Sequence, residues 1–199
     1  MAGKLILLRH GEKANPFALC SVGVRRSLAL EQQYLGMSAT KSLFKGREKP
    51  NAFFAVTLHT LETASPSAQS WSLPVIDYSS VPIHGNAWGN SGAVLEARTQ
   101  QAAADIKTRL DQNQIVVAVW EHHCIADPPP AVTLCGNLGL SVPTKWCGEN
   151  YNYFWIFDYA ATSLQVDQKK QEFDGDFADL PHNDWGEKYD FPTGSDCES

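Results

Sequence analysis

This chain of 199 residues has no long apolar run, no block of basic residues and no closely spaced pair of cysteines. No apolar run approaches the roughly 20 residues that cross a bilayer, so we expect no membrane-spanning segment. No secretory leader is expected either, because the first apolar run is short and leads directly into Arg9 and His10. The formal net charge of −6 disfavours nucleic acids and anionic membranes as partners. It is compatible with a small anionic ligand, since clustered Arg and His side chains can reverse the field inside a pocket.

The five cysteines are scattered, odd in number and without a CxxC spacing. Such a set argues against a disulfide framework and against a zinc knuckle. It favours a reducing compartment, so the sequence predicts a cytoplasmic protein. The neighbours His123 and Cys124 lack the usual spacings of metal ligands and would form a poor chelate. We therefore expect no metal and no cofactor.

The composition is typical of a folded globular protein, with 43% hydrophobic and 19% charged residues. The length suits one domain that is large enough for a two-sided core. Short apolar runs bounded by polar residues indicate buried strands. The predicted strands are residues 5–8, 52–57, 75–76, 115–120, 153–159 and 164–169.

Helical segments alternate with these strands. Ser21 is a candidate N-cap for the first helix, which Gly36 would end. Asp127 followed by Pro128 is typical of the N-cap and first turn of the last helix. The predicted helices are residues 21–35, 57–65, 93–111 and 128–138. Strands that alternate with helices predict an α/β fold, a three-layer αβα sandwich around a mostly parallel central sheet.

The chain divides into two parts of different character. Residues 1–170 contain all the predicted strands and helices and would form the α/β domain. Residues 171–199 are acidic and rich in aromatic side chains, with no clear period. We expect this C-terminal tail to pack on the domain or to cover the functional site.

Each of the three long apolar strands leads into a histidine: His10, His59 and His122. If the strands lie side by side and parallel, these imidazoles and Arg9 meet at the edge of the sheet where α/β folds bind ligands. A guanidinium with imidazoles suits an anion, phosphate most of all. A neutral imidazole can also attack phosphorus and form a phosphohistidine. The plainer interpretation is a set of ordinary polar residues at strand ends.

These segments, taken in order, resemble the histidine phosphatases, the phosphoglycerate mutase-like superfamily. The likeness spans residues 4–170, and the Arg-His-Gly signature at Arg9 opens it. The other matching segments are Leu19, Gly23 and Arg26 near the first helix, Glu-Thr-Ala at residues 62–64, the strand of residues 116–122, and the late strand of residues 151–158. The tail lies outside the resemblance.

The resemblance implies a metal-independent phosphomonoester hydrolase that acts on a small-molecule phosphate. By position, His10 would be the nucleophile that takes the phosphoryl group. Arg9 and His122 would hold the phosphoryl oxygens in the transition state, where charge stabilisation supplies most of the catalysis. Water would then hydrolyse the phosphohistidine. His122 is preferred over His123, because neighbours on an extended segment point in opposite directions.

The sequence departs from the family pattern in two ways. His59 stands where the family has a second Arg, and an imidazole is a weaker, pH-dependent anion ligand. The carboxylate proton donor has no clear counterpart; Glu121, Glu12 and His84 are the candidates, with Glu121 assigned a catalytic role. Glu12, His59 and His84, together with Asn15 in the loop after the signature, are predicted substrate contacts.

Other functions stay open at this level. The pocket could use its histidines as general acids and bases in an isomerase, a lyase or a cyclase. It could also bind an anion without catalysis. The sequence does not decide between a monomer and a homodimer.

Overall fold

The computed structural model describes residues 3–79, 91–127, 129–142, 145–159 and 165–198. Within these ranges the chain forms a six-stranded sheet in the order β5-β4-β6-β1-β7-β8 and a small two-stranded sheet of β2 and β3. The strands are β1 Lys4–Arg9, β2 Lys13–Asn15, β3 Ala18–Leu19, β4 Ala52–Ala55, β5 Val75–Asp77, β6 Ile115–Trp120, β7 Tyr153–Asp158 and β8 Asp167–Lys170. Strands β5, β4, β6 and β1 run parallel, and β7 and β8 each pair antiparallel.

Alternation along the strands places apolar side chains on both faces of the large sheet. Leu5 and Leu7 belong to one core with Ile106 of the helix Ser91–Asp111, whereas Ile6 and Leu8 belong to a second core with helix residues on the opposite face. The α-helices are α1 Ser21–Leu30, α2 Leu58–Ser70, α3 Ser91–Asp111, α4 His122–Ala126 and α5 Leu134–Leu138. The prediction of a three-layer αβα sandwich is therefore confirmed. None of the helices described is both long and apolar enough to cross a bilayer.

The first helix differs from its prediction only at its ends. Cys20, not Ser21, is the N-cap residue, and its side chain makes no capping hydrogen bond. The Ser21 hydroxyl donates instead to Asp196 of the tail at 2.5 Å. After Leu30 the chain continues as a π-helix over Glu31–Leu35 and then leaves the helical conformation at Gly36, as predicted.

The prediction of a helix over residues 128–138 is wrong. Helix α4 begins directly after β6, and only a 3-10 turn over Pro130–Val132 and the short α5 follow. Three consecutive prolines explain the difference, since a residue before proline avoids the helical conformation. Asp127 and Pro129 both have extended backbone angles.

The tail lies against the domain and is linked to it covalently. Cys20 and Cys197 form a disulfide across 177 residues of sequence, although the number and spacing of the cysteines argue against a disulfide framework. The argument from cysteines to a reducing compartment loses its basis, and the cytoplasmic location stays a prediction. Acidic tail residues pair with basic residues of the domain: Asp174 with Lys41, Asp179 with Arg25, and Asp184 with Lys170.

Candidate active site

The sheet brings three strand ends together. Strands β1 and β6 are neighbours in parallel register, with Arg9 opposite Trp120. The next residues are therefore also neighbours, and the His10 amide donates to the Trp120 carbonyl at 3.3 Å. Strand β4 lies on the other side of β6, and helix α2 starts three residues after β4 ends. This start places His59 in the first turn of α2, close to the same edge.

His10 lies at the centre of the site with no exposed surface. Its Nδ1 lies 2.6 Å from the Gly11 carbonyl oxygen. Because a carbonyl only accepts, the ring proton is on Nδ1 and the lone pair is on Nε2. Nε2 faces the Glu121 Oε2 atom at 3.3 Å. The His59 ring lies at 4.5 Å between centroids, in an edge-on arrangement.

Glu121 is buried between His10 and His59. Its Oε1 accepts from the Thr57 hydroxyl at 3.0 Å and makes a short contact with His59 Nε2. Oε2 has no hydrogen bond from any residue that the structure describes. Thr57 also caps helix α2 by accepting from the Thr60 amide. One threonine thus starts the helix and orients the carboxylate.

Arg9, at the end of β1, is buried, and part of its guanidinium is hydrogen-bonded within the protein. Its Nη1 donates to the Gly148 carbonyl, and its Nη2 donates to the Tyr151 hydroxyl at 3.0 Å. The guanidinium also lies 3.8 Å from the centroid of the Tyr151 ring, a cation–π contact. Nε is buried and has no hydrogen-bond partner among the described residues. This N–H is therefore one donor that Arg9 can offer to a ligand.

Burial sets the charge of the histidines. Desolvation lowers the pKa of His10 to about 4. Desolvation, with the nearby charge of Arg9, lowers the pKa of His122 to about 2. Burial alone would raise the pKa of Glu121, but the imidazoles of His10 and His59 hold it well below its usual value. At neutral pH the site therefore holds two neutral imidazoles beside an ionised carboxylate.

Glu12 has a different environment from the other predicted contacts. Its carboxylate accepts two hydrogen bonds from Arg26 Nε and one from Nη2, at 2.6 to 3.1 Å. The Tyr189 hydroxyl of the tail makes a further short bond to it. Arg26 and its hydrogen bonds hold the pKa of Glu12 below its usual value against burial. All these contacts lie within the protein. They keep the Glu12 carboxylate ionised and hydrogen-bonded to Arg26 and Tyr189.

The remaining predicted contacts lie elsewhere or outside the described residues. The Asn15 side chain accepts from the Phe17 and Ala18 amides and so closes its own turn. His84 lies outside the described residues. His122 and His123 begin helix α4, so the expected alternation of an extended segment does not apply. Their rings meet edge-on, 5.2 Å apart between centroids.

Sequence reasoning missed three groups that shape the site: Thr57, Gly148 and Tyr151. Thr57 had a readable signal, because a threonine directly before a helix is a typical N-cap. Gly148 lies in a stretch between α5 and β7 without periodicity, so no pattern placed it against Arg9. The sequence predicts Tyr151 only as the start of a late strand.

Known proteins offer little that is similar to this chain. No family model and no curated protein matches it. Among solved structures it is similar to one described as "Mycobacterial hydrolase 1", with 12% sequence identity, a TM-score of 0.43, and coverage of 84% of this chain and 97% of that one. At this level of similarity, the chemistry of the site follows only from its own residues.

Proposed function

We propose that the protein is a phosphomonoester hydrolase that works through a phosphohistidine on His10. The observation that supports this most is the state of that imidazole. The contact with Gly11 holds the proton on Nδ1, so Nε2 keeps its lone pair, and the lowered pKa keeps the ring neutral. A neutral, oriented imidazole beside a guanidinium is what nucleophilic attack on phosphorus requires.

The reaction would have two steps. His10 Nε2 attacks phosphorus, and the bond from phosphorus to the leaving oxygen breaks. Glu121 takes the proton of the monoanionic ester and passes it to that leaving oxygen. Water then attacks the phosphohistidine and gives a proton to Glu121, while the bond from phosphorus to Nε2 breaks and the imidazole is restored. Glu121 passes this proton to the departing phosphate and is ionised again for the next cycle. Arg9 Nε would stabilise the phosphoryl oxygens by charge. His122 would assist as a neutral hydrogen-bond donor, because its pKa of about 2 keeps it uncharged.

The direct test uses an aryl phosphate, whose leaving group needs little help from an acid. We expect hydrolysis by the native protein and none by His10→Ala. The matched control is His182→Ala, since His182 is an exposed histidine of the tail. The intermediate is an N-linked phosphate that is labile in acid and stable in alkali, so phosphorus NMR of alkali-quenched protein would detect it. Activity that survives the loss of His10 would refute the proposal.

A second candidate is acid–base chemistry on a carbonyl or carboxylate substrate, as in an isomerase, lyase or cyclase. The position of Glu121 favours it, because a carboxylate between two imidazoles weakens the attraction for an anion. His59→Arg separates the two candidates. If this change creates or raises phosphatase activity, the natural site has moved away from phosphate; if the activity does not rise, the second candidate loses its support.

A further inference from the structure

We propose that His10, Glu121 and His122 form a binding site for one divalent transition-metal ion of the zinc class. A potential ligand atom from each of the three residues lies within 4.8 Å of the others. The pair His10 Nε2 and Glu121 Oε2 is the best defined, at 3.3 Å. Tetrahedral zinc with bonds of roughly 2.0–2.1 Å holds its ligand atoms about 3.3 Å apart. This pair therefore already has the spacing of two zinc ligands.

The unpaired atoms at the site make the stronger argument. His10 Nε2, Glu121 Oε2 and His122 Nδ1 are all buried and have no hydrogen-bond partner among the described residues. Since Nδ1 of His10 holds the ring proton, Nε2 and the carboxylate oxygen are two acceptors that face each other. Buried polar atoms without partners are rare in folded proteins and costly. A cation between these atoms would satisfy both.

The outer contacts match those that orient metal ligands. A histidine ligand usually donates its second ring N–H to a carbonyl or a carboxylate, and carboxylate ligands are themselves hydrogen-bonded. His10 donates Nδ1–H to Gly11. Glu121 accepts from Thr57 and His59 on Oε1, which leaves Oε2 for the metal. Both ligands are thus held in place before any ion arrives.

The type of donor selects the ion. Two imidazoles and one carboxylate suit zinc, and three protein ligands leave a fourth position for water or a substrate oxygen. Cys20, Asp196 and Cys197 also lie close together. The sulfurs of the two cysteines are joined in a disulfide and offer no thiolate. This second group is therefore not a metal site.

Metal binding has a consequence for the chemistry. The ion would take the lone pair of His10 Nε2, the same electrons that attack phosphorus in the proposed reaction. We therefore expect zinc to inhibit the phosphatase activity in competition with substrate. This consequence rests on the proposed function, whereas the metal site itself does not.

Cobalt(II) is the probe, because its visible d–d spectrum reports coordination number and ligand type. The full chain, treated with EDTA and dialysed, is titrated with cobalt and then with zinc. We expect one equivalent of cobalt to bind with the intense bands of a four-coordinate site, and zinc to displace it. Glu121→Gln preserves the size of the side chain, and His122→Asn removes the second imidazole. We expect each to weaken binding by more than about 100-fold, the upper value for the loss of an outer contact alone.

The control is His182→Ala, which should bind cobalt as the native protein does. Circular dichroism of each variant establishes that it is folded. Native-like cobalt binding by both ligand variants would overturn the proposal. A sulfur-to-cobalt charge-transfer band would also overturn it, because such a band would place the ion on a cysteine.

The two proposals fail in different ways. Stoichiometric cobalt binding without phosphatase activity would refute the proposed function and leave the metal site in place. Phosphatase activity that depends on His10, without any cobalt binding, would refute the metal site alone.

Discussion

A single imidazole controls the proposed reaction, and its pKa fixes the pH range in which it can act. The pKa of His10 is lowered to about 4, chiefly by burial. We expect kcat/KM for an aryl phosphate, measured on EDTA-treated protein, to persist into acid and to fall as His10 takes up a proton near pH 4. An activity loss with its midpoint near the ordinary histidine value of about 6.5 would contradict this.

Acid also lowers the stability, and this effect needs a separate measurement. His10 and His122 both have lowered pKa values in the folded chain. As the pH falls below about 6.5, the unfolded chain takes up protons on these residues before the folded chain does. Stability is therefore present above that pH and is lost progressively toward about pH 4 through His10 and toward about pH 2 through His122. Urea unfolding at each pH separates this loss from the loss of the nucleophile.

Thiol titration gives a second test at the residue scale. Burial raises the pKa of both Cys124 and Cys135 to about 12, so both should resist alkylation in the folded protein near about pH 8, where an ordinary thiol is partly ionised. We expect Cys147, which is half-buried, to react in the native state. Unfolding without reductant should expose three thiols, and reduction should expose all five. Five thiols before reduction would contradict the disulfide.

The sequence predicted some residues of the candidate site better than others. Arg9, His10, His59 and His122 are predictable because Arg9 ends an apolar strand, each histidine follows one, and parallel strands end at one edge. The partners of Arg9 were not found, since Gly148 and Tyr151 come from a stretch whose path no local pattern determines. Glu12 lies two residues after the proposed nucleophile in the sequence, yet its buried bond to Arg26 depends on how α1 packs.

At the scale of elements, the start of helix α2 links stability to the site. The Thr57 side chain accepts from the Thr60 amide as the N-cap and donates to Glu121. We expect Thr57→Ala to lower the free energy of unfolding by about 1–2 kcal/mol, as for the loss of a typical cap. It should also lower the activity, because Glu121 loses an orienting bond.

Thr57→Ser is the matched control, since it keeps the hydroxyl and loses only a methyl group. Urea unfolding of both variants measures the difference. Equal stability of the alanine and serine variants would show that the cap contributes little here.

The sequence predicted the elements well where one strong pattern decided them. Strands β1, β4 and β6 are apolar runs with polar residues at their ends, and the sheet buries them on both faces. Helix α4 was missed because five residues are too few to show a helical period. Asp127 followed by Pro128 predicts the start of a helix, whereas in the structure Asp127 and Pro129 have extended backbone angles.

At the scale of the whole molecule, the tail connects the end of the chain to the neighbourhood of the nucleophile. Tyr189 bonds to Glu12, and Asn183 of the tail accepts from Asn150 at 3.0 Å. The disulfide from Cys20 to Cys197 then links the tail to the N-cap of α1. Composition revealed the aromatic character of the tail but not this linkage, because a single disulfide between distant cysteines leaves no spacing pattern.

This linkage predicts that the tail stabilises the whole domain. Cys197→Ser removes a cross-link that closes 177 residues of chain, and we expect it to lower the free energy of unfolding by about 2–4 kcal/mol, chiefly because the unfolded chain gains freedom. Cys147→Ser is the control, since Cys147 is a free cysteine. Urea unfolding without reductant compares the two with the native protein. If Cys197→Ser unfolds at the same urea concentration as the native protein, the cross-link does not stabilise the domain, and the noncovalent contacts of the tail suffice to hold it in place.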